Sequence, residues 1–119
     1  MANNIAFQPM GKTIQITAAV GNANTLAITA DSPSNQYLVV SHEKTNGTGN
    51  PVYITIASTP TNAAVPSGNG ASASYSIPIP PSHMFVFTGP QCSPTKPVYI
   101  SVISELDSPE LYITPGEGL

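Results

Sequence analysis

Residue types able to make and break bonds are sparse in this chain. His42, His83 and Cys92 are its only imidazole and thiol groups. None of them pairs at a CxxC or HExxH spacing, so a structural metal centre finds no ligand set. Asp31 and Asp107 lie far apart, whereas a calcium loop groups its carboxylates. Serines are plentiful, yet none sits in a G-x-S-x-G elbow, and the two histidines read as strand-end or surface side chains rather than triad bases. A reactive thiol needs positive charge beside it. Lys96 gives Cys92 thin support, and the cysteine reads as a small side chain in a loop. Glu105, Asp107 and Glu110 could be paired carboxylates for glycoside hydrolysis, although a solvated acidic turn accounts for them too. Gly68-Asn69-Gly70 lacks the lysine and the strand-to-helix setting of a phosphate loop. The expectation is a protein that is not an enzyme and uses no metal or cofactor.

Charge narrows the partners. Of 119 residues only 8% are charged, with three lysines, no arginine and a net charge of −3. Lys12, Lys44 and Lys96 are scattered, so nucleic acid finds no basic patch. No basic amphipathic stretch suits an anionic membrane, and no run approaches the roughly 18 apolar residues of a membrane helix. A surface of Ser, Thr, Asn and Gly offers little repulsion to association with other proteins. The single cysteine forbids an intrachain disulfide. Met1-Ala2-Asn3-Asn4 lacks the basic region and apolar run of a secretory signal, which points to synthesis in a cytoplasm.

The elements that must hold these residues are strands. Thirteen prolines and nine glycines punctuate short runs rich in Val, Ile, Tyr, Phe and Thr, with no sustained helical period. Ile5-Ala6-Phe7 reads as a short or edge strand. Thr13–Thr17 turns Ile14 and Ile16 inward, and Thr25–Thr29 turns Leu26 and Ile28 inward. Tyr37-Leu38-Val39-Val40 is a continuous apolar run, expected to be covered on both faces. Asn46–Asn50 signals a turn. Val52–Ile56 and Val98–Ile103 alternate, Ser74–Pro81 is an edge strand because of its prolines, Met84–Phe87 is a buried strand, and Gly89–Pro97 is a loop. Leu111-Tyr112-Ile113 is the last strand. The fold class is all-β: an antiparallel β-sandwich, jelly-roll-like, of about eight short strands without substantial helix. It forms one domain over 1–119, with extended termini at about 1–10 and 108–119 and a mobile loop at 59–74. Tyr53 and Tyr99 fall on outward faces, where they either anchor a partner or lie flat on a neighbouring strand.

The C-terminal half carries a resemblance. Ser74-Tyr75-Ser76-Ile77-Pro78-Ile79-Pro80-Pro81, Met84-Phe85-Val86-Phe87, Tyr99–Ser104 and the ending Leu111-Tyr112-Ile113-Thr114-Pro115-Gly116-Glu117-Gly118 follow in an order that resembles small structural proteins of tailed bacteriophages. Residues 74–119 carry the likeness well; Ile5–Gly11 extends it loosely, and the polar loop departs from it. The resemblance implies a β-sandwich in the virion: a capsid decoration or cement protein, binding the outer surface of the major capsid protein lattice as a homo-oligomer, dimer or trimer, after synthesis in the host cytoplasm. Edge strands and extended termini could pair with a partner chain, which makes Phe7 and Tyr112 candidate contacts beside Tyr53 and Tyr99. Two other readings stand: a head–tail connector, tail or fibre-associated virion protein, and, from another class, a carbohydrate-binding module.

Overall fold

Alternating side chains decide which face of each strand meets the core. The computed structural model describes residues 7–42, 51–70, 74–105 and 109–118. Its strands are β1 (Gln8–Pro9), β2 (Ile14–Thr17), β3 (Ala19–Val20), β4 (Asn24–Ile28), β5 (Ser34–His42), β6 (Val52–Ala57), β7 (Ile77–Ile79), β8 (Met84–Cys92), β9 (Val98–Ser104) and β10 (Glu110–Glu117). One sheet, sheet A, runs β2-β10-β5-β8, with β1 pairing the far end of β10. The other, sheet B, runs β4-β9-β6-β7, with β3 added to β9. With the two-residue strands β1 and β3 set aside, this is the strand order of a jelly roll, two interleaved Greek keys packed face to face. Every pairing is antiparallel except β3 with β9, which is parallel; β3 departs in this from the all-antiparallel expectation.

The core lies between the sheets. Ile16, Val39, Leu111 and Ile113 face inward from sheet A; Ile28, Val52, Ile54, Ile100 and Val102 meet them from sheet B. Leu26 occupies an inward position but stays 39% exposed. It sits on β4, a rim strand with sheet on one side only. Met84 and Phe85 are 46% and 37% exposed, so the expected buried strand is the outer strand of sheet A. β8 continues through Cys92, which is fully buried in the core rather than placed in a loop. An edge strand tolerates Pro90, and a register shift opposite Ser34 and Gln36 accommodates the extension.

The end of the chain is a strand, too. Residues 110–117 form β10, which pairs with β5 on one side and with β2 and β1 on the other. A terminal extension was expected from residue 108; most of it is instead the centre of sheet A. Pro115 is unusual in a central strand because it cannot donate a hydrogen bond. Its carbonyl accepts from Met10 N–H at 2.9 Å, so Pro115 faces the β1/β2 side. Met10 O, the natural acceptor for the missing donor, takes Asp31 N–H at 2.7 Å. Gly116 follows because a Cβ there would collide with Gln8 O and the Phe7 ring.

Residues 62–64 belong to the loop expected to be mobile, and they lie across the outer face of sheet B. The expected strand at Ile5–Phe7 lies mostly outside the described residues; Phe7 itself precedes β1. The turn at Asn46–Asn50 and residues 71–73 lie outside them as well.

Candidate interaction surfaces

Three surfaces remain once the core is assigned: the outer face of each sheet, and the open side of the sandwich where β7 and β8 lie. On sheet B, cross-strand register aligns Thr25, Ser101 and Thr55. Their hydroxyls form a row: Thr25 Oγ1 donates to Ser101 Oγ at 3.0 Å, and Thr55 Oγ1 meets Ser76 Oγ at 3.0 Å. The loop is laid over this row. Ala63 N–H donates to Ser101 Oγ at 2.8 Å and Ala64 N–H to Ser76 Oγ at 3.0 Å. Ser74 Oγ returns a bond to Ala64 O at 2.8 Å.

Tyr53 and Tyr99 share this outer face, as expected from alternation. Tyr53 donates its hydroxyl to Glu105 Oε1 at 3.2 Å. Partial burial and then the Glu105 carboxylate raise its pKa above the usual phenol value. Tyr99 stands between Ala27 and Ala57 in register, and the two small neighbours leave room for its ring. Tyr112 is on the other sheet, outward beside Gln15 and Val40. Phe7 packs its ring on Gly116. The four candidate contacts are therefore spread over three places and form no single site.

The groups that could do chemistry do not converge. Glu105 borders sheet B beside Tyr53, while Glu110 is on sheet A, where it accepts from Gln15 Nε2; Asp107 lies outside the described residues. Cys92 packs near Tyr37, whose hydroxyl donates to Pro90 O. Burial first, and Cys92 second, push the Tyr37 pKa upward. His83 is exposed, keeps Nδ1 2.8 Å from Pro81 O, and stacks on Phe85 with ring centroids 6.1 Å apart. Among the described residues no group of three His, Cys, Asp or Glu could hold a metal ion, and no helix is long and apolar enough to cross a membrane. A concavity of about 660 Å³ lies between the β3–β4 turn, the loop and the end of β9. Among the described residues Glu105 is its one ionisable lining residue.

The outer face of sheet A is different in kind. Val40 pairs with Met84 and Leu38 with Val86, so four apolar side chains form a block at the β5/β8 side. Tyr112 extends it beside Val40. Towards β2 the same face turns polar, with Gln15, Thr13 and Thr114, the last two 2.6 Å apart at their hydroxyls. None of the block is fully buried. Beyond β8, around the rim, a groove of about 430 Å³ is lined by Ile54, Ile56, Ile77, Phe87 and Tyr75. Tyr75 is almost wholly exposed. A continuous apolar run in a sequence without a sustained helical period to supply a covering helix was the available signal for this block. Such a run in a two-layer fold must show half its side chains.

No protein-family model, curated protein or solved structure matches this chain.

Proposed function

We propose that the chain is a structural protein of a phage virion, a decoration or cement protein that binds the outer surface of the major capsid protein lattice. The observation that carries this reading is the apolar block of Leu38, Val40, Met84 and Val86 on the outer face of a sheet, in a chain with 8% charged residues. Soluble monomers rarely leave a contiguous apolar patch without use for it. A β-sandwich with such a face is suited to packing on another protein, and the sequence resemblance of residues 74–119 supplies the virion setting. Many weak, identical contacts around a symmetric shell would hold together through multivalency. The fold alone does not choose the function, since sandwiches host many.

The test is the copy number of the chain in purified virions of its source, measured by quantitative mass spectrometry against the major shell protein. Abundance comparable to the shell subunit supports a coat. A few copies per particle would move the protein to the neck or tail, and absence from the particle would overturn the virion reading.

A further inference from the structure

β8 is the last strand of sheet A, and its far side pairs with no strand among the described residues. Register shows what that side offers. Ser41 N–H bonds His83 O at 2.9 Å, so 41 and 83 form a hydrogen-bonded pair. Antiparallel pairs alternate, and hence Phe85 and Phe87 direct their main-chain groups to β5. Met84, Val86 and Thr88 direct theirs away from the sheet.

Natural edges are shielded by lysines, prolines or inward charges. Residues Met84-Phe85-Val86-Phe87-Thr88 contain none of these, and Pro90 is the first interruption. We infer that this edge pairs with the same edge of a second copy of the chain. A two-fold axis at Val86 makes the strand complementary to itself. Val86 then faces Val86 of the second copy, and Met84 faces its Thr88, each pair exchanging two main-chain hydrogen bonds. On the inward side Phe85 meets Phe87 of the second copy, beside the mouth of the apolar groove that Phe87 lines. The segment has no charge to repel its own copy, which is the condition a self-pairing edge must meet. The paired molecules share one continuous sheet, and their two apolar blocks merge across the axis into a single face.

The inference gives an interface to the homo-oligomer of the proposed function, but it concerns the isolated chain and stands or falls without any virion. Sedimentation or light scattering of the full chain, from micromolar to near-millimolar concentration, should show a monomer–dimer equilibrium. Val86→Pro removes an outward N–H without touching the β5 ladder, and should weaken the dimer at least tenfold while leaving the β circular-dichroism signal intact. Leu38→Lys, on the same face but one strand inward, should leave the dimer unchanged. Should Val86→Pro fail to fold, a second pair decides: Met84→Lys with Thr88→Lys, and Met84→Asp with Thr88→Asp, should each be monomeric alone and dimerise when mixed. Amide exchange gives the register: Met84, Val86 and Thr88 should gain protection with concentration, while Phe85 and Phe87 are protected throughout. A wild-type monomer at all concentrations, or loss of the dimer in Leu38→Lys but not in Val86→Pro, would overturn the edge pairing.

Discussion

Ser101 Oγ accepts the main-chain N–H of Ala63 at 2.8 Å, and both residues are buried. One hydroxyl in the middle strand of sheet B thus fixes a segment far away in sequence. The same oxygen takes the Thr25 hydroxyl, so the side chain joins a strand, its neighbour and the covering loop.

Replacing Ser101 by Ala leaves the Ala63 N–H buried without a partner. The expected cost is about 1–3 kcal/mol, read from the urea midpoint. Limited proteolysis should also find residues 59–66 cut sooner in Ser101→Ala than in the wild type. Unchanged cleavage would mean that the hydroxyl row does not fasten the loop.

Tyr37→Phe removes the donor to Pro90 O in the core. The carbonyl of half-buried Pro90 then loses this partner, and the variant should be less stable by about 1–3 kcal/mol. Thermal unfolding checks it; a loss well below that range would show that water reaches Pro90 O.

Ser41 tests the opposite case. Its Oγ is buried and has no hydrogen-bond partner among the described residues. Ser41→Ala should therefore be neutral or stabilising, by up to about 1 kcal/mol, whereas loss of a bonded hydroxyl would destabilise. A clear drop in the unfolding midpoint would reveal a partner for it.

Two tyrosines set an alkaline limit. Burial, then Cys92, raises Tyr37, and burial, then Glu105, raises Tyr53. A raised folded-state value favours the neutral phenol in the native protein. That stabilisation is complete below the unfolded value of about 10 and is lost as pH rises through the folded value. The melting temperature should fall on passing above about pH 10. Phenolate absorbance should show Tyr37 ionising only with unfolding. Glu105→Gln should lower the Tyr53 value in part, because burial, the larger cause, remains.

The alternating segments were legible as strands because one face of each is buried: Ile16 and Ile28, Ile54, Ile100 and Val102 all lie where the period of two puts them. Rim strands were harder to read. Leu26 and Phe85 obey the period but sit where a strand has a neighbour on one side only, and no local pattern distinguishes that place from the centre. Pro115 and Gly116 misled in the other direction, because turn-forming residues occupy a central strand here. Pro115 points its donorless nitrogen at a gap where Met10 O is already served by Asp31, a relationship between three distant segments. The apolar block escaped notice for a related reason: Val40 and Met84, and Leu38 and Val86, become neighbours only through β5–β8 register. Tyr53 and Tyr99 were placed on the correct face, but nothing in their spacing tells that one binds Glu105 and the other rests between two alanines.

Each sheet has one inner strand, β10 in sheet A and β9 in sheet B, that comes last in sequence order among the described strands. During synthesis, everything made before Val98 consists of sheet halves with a missing middle: β2 and β4 on one flank, β5 and β6 on the other. Neither sheet can close until β9 and β10 have been made, so the order of manufacture runs against the order of assembly. Folding must wait for β9 and β10, and their long-range pairings make it slow. In that interval the uncharged β8 is an open edge on an unfinished molecule. Producing this protein at high concentration therefore sets native self-pairing against premature aggregation along the same strand.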